Sequence, residues 1–447
     1  MANTSRREFL GQAAVGVGAV SLGGGLCGAE GDRKRPRIAG IYTELRERSH
    51  AYHILEAHMG PYVFNGKLTD PGVDVVSWYA DQFPDNDMTR EAVARLEMPL
   101  YETITEALTC GGEELAVDGV LLIGEHGDYP VNDLGQKMYP RKEFFDEIVA
   151  VFRKSGRVVP VFNDKHLSYR WDWCKEMYDV SRKMEFPLMA GSSVPLAQRV
   201  PAMEVPAGVE LEGAVSVHGG PMESYDFHGL EVLQSIVEAR RGGEVGVSSV
   251  QFLEGDDLLN AGDAGLWSRE LYAAAMRAEA EHRDDTPDGP DVGEMQPGHG
   301  ILLEYADGFR AAVLQAGQSA VRWNFACRVK GGDRPQATTF YPGPWGNRCL
   351  FRALSHAIQQ MFLTGTPPYP VERTLLVSGI LDAAMRSRHE GNVKKRTPDL
   401  EFGYDPVDFT AMRETGASWE VITKETPQPE KFVPGDLDTV GEGLETR

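Results

Sequence analysis

The chain is poor in cysteine, with 5 in 447 residues, and no two stand in a C-x-x-C spacing. That excludes a paired-cysteine zinc cage as the organiser of the fold. Cys27 lies in the N-terminal segment, which leaves Cys110, Cys174, Cys327 and Cys349 scattered along the body. Their spacing does not reveal whether any pair forms a disulfide. Positive charge is also short: 45 Lys and Arg stand against 67 Asp and Glu, a net charge of −22. Nucleic acids and anionic membranes are bound through clustered Lys and Arg, so both are excluded as partners. No segment past the N-terminus approaches the roughly 20 apolar residues that span a bilayer. G-x-S-x-G, P-loop and H-E-x-x-H patterns are absent, which disfavours serine hydrolases, P-loop NTPases and zincins. There is no internal repeat.

The N-terminus does carry a pattern. Ser5-Arg6-Arg7-Glu8-Phe9-Leu10, followed by the small and apolar run 11–25, has the twin-arginine arrangement, and its apolar stretch is too short and glycine-rich for a stable span. Residues 1–29 are therefore expected to be a signal peptide cleaved after Ala29. The twin-arginine translocation machinery would deliver a soluble product to the periplasm or beyond the cell. Leu26 is larger than a lipidation site at Cys27 accepts, so a lipoprotein is disfavoured. Asp32-Arg33-Lys34-Arg35 is a short basic run beside the processing segment and reads as solvated.

A chain of 447 residues with 42% apolar content is long enough for two packed domains. From residue 37 to about 193, strand-length apolar runs (37–42, 73–79, 118–124) alternate with helix-period stretches (50–59, 89–94, 142–154). That alternation predicts an α/β, Rossmann-like doubly wound domain over 36–193, its parallel sheet covered on both faces. Beyond 193 strand signals dominate: 213–217, 245–253, 301–305 and 309–314 around the turn Asp307-Gly308, then 321–329. Residues 281–298 read as a surface loop. Helices over 349–363 and 371–387 close a second α/β domain, 194–403. Residues 404–447 form an acidic tail that wraps the surface or is partly disordered.

The most informative stretch is 157–196. Trp171, Cys174, Met177, Tyr178 and Met184 fall near a 3.6-residue period between apolar runs at 158–162 and 188–190, with Cys174 as a core thiol. This β-α-β unit places Lys165 at the carboxyl end of its first strand, where open α/β sheets hold their ligands. Pro160 cannot donate to a ladder, so a local irregularity is expected there. The unit resembles the Gfo/Idh/MocA oxidoreductase family, in which the strand ends in Glu-Lys-Pro; here Asp164-Lys165-His166 keeps the lysine alone. That family also has a Gly-Gly segment opening a helix whose Asp and His, four apart, face the nicotinamide. In Gly219-Gly220 and the following residues, His228 matches, Ser224 stands in the Asp position, and Asp226 comes two places later. Phe351-x-x-Leu354-x-x-Ala357-Ile358, Thr364-Gly365-x-Pro367 and 375–387 are similar to the family's closing helix pair.

The resemblance covers most of 36–403. It implies an open, mostly antiparallel second sheet with a face free for substrate or a partner subunit, hence a homo-oligomer. It implies NAD or NADP, and hydride transfer between the nicotinamide and a sugar or polyol hydroxyl. Lys165 and His228 would then move the hydroxyl proton, with His166 and Asp226 also meeting the substrate. An NAD-dependent glycoside hydrolase, or a non-catalytic carbohydrate-binding or scaffold protein, is the alternative, because fold alone does not separate them.

Read as residues, each candidate has an ordinary role beside the functional one. A lysine in a cleft exchanges a proton with a hydroxyl or holds it as a charged donor, whereas one in a surface turn does neither. His166 adds a second titrating group, and His228, with an ordinary pKa near neutrality, serves as acid or base or packs as a structural histidine. Dinucleotide folds need G-x-G-x-x-G in the first βα turn. Here only Gly40 survives; Thr43, Arg46, Arg48 and Ser49 offer donors to phosphate against the opposing charges of Glu44 and Glu47. Asp81 stands where an acidic residue accepts from ribose, or is an ordinary strand-end aspartate. Glu125-His126-Gly127-Asp128 lies at the same edge, open to ribose, substrate or solvent. His126 with Asp128 is an incomplete ligand pair, so no metal is assigned. The cofactor side is thus expected to comprise Gly40, Thr43, Asp81, Glu125 and His126. His50 and His53 sit beside the divergent turn, and His58 shares an apolar face and packs.

Overall fold

A computed structural model describes residues 34–284 and 289–435. The expected signal peptide, 1–29, and the last part of the expected tail, 436–447, lie outside the described residues. In chain order the first part comprises β1 (Arg37–Tyr42), α1 (His50–Met59), β2 (Tyr62–Phe64), β3 (Lys67–Thr69), β4 (Asp74–Ala80), α2 (Thr89–Leu96), β5 (Leu100–Tyr101), α3 (Ile104–Thr109), β6 (Gly119–Ile123), α4 (Arg141–Ser155), β7 (Val161–Asp164), α5 (Trp171–Met184) and β8 (Leu188–Gly191). The second comprises β9 (Gln198–Val200), β10 (Leu211–Gly219), α6 (Ser224–Val237), β11 (Val247–Glu254), α7 (Gly255–Asp263), α8 (Arg269–His282), β12 (His299–Tyr305), β13 (Arg310–Gln315), β14 (Ser319–Val329), β15 (Gln336–Tyr341), α9 (Asn347–Thr364), α10 (Val371–His389) and β16 (Lys395–Arg396).

The first sheet has the order β5-β4-β1-β6-β7-β8 with every pairing parallel. This is the doubly wound arrangement, and its order reverses between β1 and β6, so a crevice opens beyond their carboxyl ends. The strands are apolar on both sides because both faces are covered. Ile38, Leu121 and Ile123 pack with Ile54 and Leu55 of α1 and with Leu354 and Ile358 of α9. On the other face Ala39, Ile41, Val120 and Leu122 meet α3, α4 and α5. Thus α9, although late in the chain, closes the first sheet. Pro160 stays just outside β7: its carbonyl accepts from Val120 N at 3.0 Å, and the strand starts at Val161 rather than 158.

The second sheet runs β16-β11-β12-β13-β10-β14-β15-β9, antiparallel except where β10 meets β13. Asp307-Gly308 makes the expected turn between β12 and β13, with Gly308 at φ 82°. One face packs on Phe227, Leu230 and Leu233 of α6 and on Leu376, Ile380 and Leu381 of α10. The opposite face, expected to be free, is covered. Leu258, Trp267, Leu271, Tyr272 and Met276 of α7 and α8 bury Val215, Val217, Leu302 and Leu314. The sheet is open in its strand order and mostly antiparallel, as expected, but the self-association inferred from an exposed face loses that surface. In the described part of the expected tail Phe409, Ile422 and Phe432 are buried, so it is strapped to the body by apolar contacts.

The two sheets meet at Glu231. Its carboxylate accepts from Thr374 Oγ1 at 2.8 Å and from Ser192 N at 3.4 Å. Gly191 beside it has φ 136°, and a Cβ there would lie 3.1 Å from Glu231 Oε2. Burial raises the Glu231 pKa from 4.5 to about 7. The unfolded chain loses this proton first, so the group lowers stability as pH rises from about 4.5 to about 7, with no further change above. Glu231→Gln should therefore gain stability relative to the wild type at pH 8 compared with pH 5, by up to about 3 kcal/mol, in urea unfolding at the two pH values. An equal difference at both pH values would refute the assignment.

Candidate active site

The carboxyl ends of β1, β6 and β7 deliver charged side chains to one place. β7 ends in Asp164, and the chain turns through Lys165, which has φ 62°, a left-handed conformation unfavourable for a residue with a Cβ. Lys165 Nζ lies 2.7 Å from Glu125 Oε1. Glu125 follows β6, and its other oxygen accepts from Arg141 NH2. Arg141 opens α4 and is wholly buried. It also donates Nε to the Asp164 carbonyl at 3.1 Å and approaches His166 Nε2 at 3.2 Å through NH1. Asp164 Oδ2 is 2.6 Å from His50 Nδ1 at the start of α1. Two strand ends and two helix starts are thereby tied through one guanidinium and two carboxylates.

The second sheet contributes from the N-terminus of α6. Glu223 precedes that helix with φ 64° and ψ −68°, held by its N–H donating to Asp226 Oδ2 at 2.8 Å. Its Oε1 is buried without a hydrogen-bond partner and lies 3.7 Å from His166 Nε2. One turn on, His228 Nδ1 is 2.6 Å from Ser192 Oγ, and that hydroxyl already accepts from Val194 N at 3.0 Å. With the hydroxyl donating to Nδ1, the ring proton of His228 sits on Nε2. The ring stands edge-on to Trp323, centroids 5.3 Å apart.

The charges sort these groups. Burial alone would push Glu125 up, but Lys165 and Arg141 outweigh it and hold the carboxyl well below its usual range. Burial, followed by repulsion from Glu125, raises Glu223 to about 7. Burial together with the positive charge of Arg141 keeps His166 neutral, and burial together with Lys165 does the same for His228. His126 is lowered to about 3 by burial and by His50. The site therefore combines an anchored cation–carboxylate pair, a carboxyl able to keep its proton near neutrality and a neutral imidazole. Such groups can hold a hydroxyl and exchange a proton with it.

Of the expected residues, Lys165, His166 and Glu125 converge, and the charge of Lys165 reaches His228. Thr43 is buried and donates Oγ1 to the Glu125 carbonyl at 2.6 Å, which shapes the crevice floor. His126 stands at the rim with Nδ1 3.1 Å from Arg46 NH2 and its ring edge-on to His50 at 5.1 Å. Asp128 is exposed and does not join it as a ligand. Asp81 accepts from Tyr79 OH at 3.0 Å and Tyr129 OH at 2.5 Å. Two expectations need correction. Gly40 lies inside β1, where a Cβ would press on Leu55 and Trp78, so its glycine serves helix–sheet packing and not a ligand. Asp226 turns away from the site and accepts from His218 and His299, each at 2.9 Å.

Arg141, Asp164, Ser192 and Glu223 were not foreseen. For Glu223 the signal was present: a carboxylate directly before the helix that follows Gly219-Gly220. The helix alignment on His228 drew attention to Ser224 instead. Arg141 carried no motif, because only the fold brings the start of α4 under the end of β7.

No protein-family model and no curated protein matches the chain. Solved structures do. GenD2 from gentamicin A biosynthesis, in complex with NAD, is 13% identical over 85% of this chain and 99% of its own, with a TM-score of 0.52. Myo-inositol dehydrogenase from Lactobacillus casei, in complex with NAD(H) and myo-inositol, is 13% identical over 81% and 96%, with a TM-score of 0.52. An oxidoreductase from Agrobacterium radiobacter in complex with NAD+, L-tartaric acid and magnesium is 11% identical over 81% and 98%, with a TM-score of 0.50. At these identities the likeness is one of fold, and the fold of this chain is that of the Gfo/Idh/MocA oxidoreductases.

Proposed function

We propose that this protein binds a sugar or related polyol at the Lys165 cluster and holds its hydroxyls by hydrogen bonds to Lys165 and His228. The observation that carries this reading is the convergence of Lys165, paired with Glu125, and neutral His228 from the two halves of the fold. Lys165 donates to the hydroxyl oxygen through one N–H of its ammonium while another stays on Glu125. His228 Nε2 donates to the same or the adjacent hydroxyl. The complex of the same fold with NAD(H) and myo-inositol supports a polyol as the ligand class.

In a dehydrogenase of this fold a nicotinamide dinucleotide supplies the hydride acceptor. The residues at the first βα turn do not fit its phosphates. Three backbone donors of the turn are already used: Thr43 N bonds Ile123 O, Arg46 N bonds Ser49 Oγ, and Ser49 N bonds Arg46 O. The Glu44 carboxylate is buried there and paired with Arg46 Nε at 2.6 Å, a negative charge where a pyrophosphate would have to approach. Asp81, the ribose acceptor in such a reading, is engaged by two tyrosine hydroxyls. These observations favour a polyol site without resident NAD or NADP over nicotinamide hydride transfer, and no step is routed through the dinucleotide. We also infer export by the twin-arginine route, supported by Arg6-Arg7 and the run after them. Sequencing of the mature N-terminus should begin at Glu30, and an intact Met1 in the secreted fraction would refute cleavage.

Calorimetry tests the reading. Inositols or monosaccharides should bind the wild type, and Lys165→Ala should weaken that binding by about 10-fold or more, the scale of a hydrogen bond to a charged group. NAD+ and NADP+ should not bind, and the supernatant of denatured protein should contain neither. Unchanged polyol affinity in Lys165→Ala would remove the site. One equivalent of retained dinucleotide would restore hydride transfer.

A further inference from the structure

Behind the site lies a second convergence of ligating side chains that the chemistry above does not use. His218 near the end of β10 and His299 at the start of β12 are both in register with Gln315 of β13, the strand between them. Residues in one register row project to the same face of a sheet, so both imidazoles rise on the α6 side. Asp226 descends between them from the first turn of α6. The helix comes close enough for this because of Gly229, where a Cβ would lie 2.6 Å from Val313 Cγ1 and 3.2 Å from His218 Cδ2. Both Nε2 atoms stand 2.9 Å from the same carboxylate oxygen, Asp226 Oδ1, and the three ligand atoms lie within 4.8 Å of one another. All three residues are buried. The rings are fixed by stacking, His218 on Trp323 and His299 on Phe252.

We propose that His218, Asp226 and His299 bind one zinc ion, with water completing the coordination, as a structural tie between the second sheet and α6. Two neutral imidazoles and a carboxylate are a zinc donor set, and metal distances of about 2.0–2.2 Å set ligand atoms about 3.3 Å apart, a small expansion of the present contacts. A hydrogen-bonded triad without metal leaves a defect. Each Nε2 must then carry a proton toward Asp226, which makes His218 Nδ1 an acceptor, and that atom is buried without a partner. With zinc on Nε2 the ring proton moves to Nδ1, on the side of the Gly220 backbone, the kind of acceptor beside which metal-bound histidines carry that proton. Asp226 Oδ2 holds the Glu223 N–H, so the ion would fix the helix end that carries Glu223 and, one turn on, His228.

Metal analysis of untagged full-length protein should find about one zinc per chain. Asp226→Asn and His299→Gln should each bring it below about 0.1. Chelation should lower Tm by about 5 °C or more, with recovery on adding zinc, because a ligand of the folded state alone stabilises it. If the variants fail to fold, cobalt decides: chelated wild type reloaded with Co2+ should show visible d–d bands and keep one equivalent through gel filtration. Wild type that is metal-free as purified and retains neither zinc nor cobalt would overturn the site. None of these readouts depends on polyol binding.

Discussion

The site depends on the buried guanidinium of Arg141. One side chain reaches Glu125, the Asp164 carbonyl and His166, and so sets where Lys165 can go. Burying that much charge is costly, and the pairs offset the cost only because nearly every donor and acceptor is used. Removing one partner of such a pair costs about 3–5 kcal/mol, since the other charge is left buried alone. The polar cluster is therefore committed to a single arrangement. That rigidity positions a lysine for a ligand more firmly than a solvent-facing turn would.

Backbone strain marks the same place. His126, Lys165 and Glu223 are non-glycine residues at positive φ, and each stands where an element delivers a side chain to the crevice. Such conformations persist only where the surroundings over-determine them. Here the hydrogen bonds of Glu125 to Lys165, of Arg46 to His126 and of Asp226 to the Glu223 backbone do so. The first βα turn has no glycine at positive φ; its one positive-φ residue is Arg48, and Arg46 N and Ser49 N are spent within the turn.

Much of this was legible in the residues. Strand and helix periodicity gave the parallel sheet almost strand by strand, because strands buried on both faces read as short continuous apolar runs. Lys165 was legible for the same reason, since a strand end in a doubly wound sheet is a ligand position whatever the local motif. The covering of the second sheet was not. Helix α7 is short and α8 is alanine-rich, and their apolar residues have no partner until β10, β12 and β13 are assembled. Arg141 and the His218–Asp226–His299 group were hidden because their meaning is long-range. Asp226 was assigned to substrate from its place near His228, yet a two-residue step on a helix turned it to the opposite side.

The most direct measurement is a crystal structure of the protein with bound myo-inositol. The expected result is an inositol hydroxyl within about 3 Å of Lys165 Nζ, with another contact from His228 Nε2. Inositol seated elsewhere, with Lys165 still bonded to Glu125 alone and His228 untouched, would contradict it.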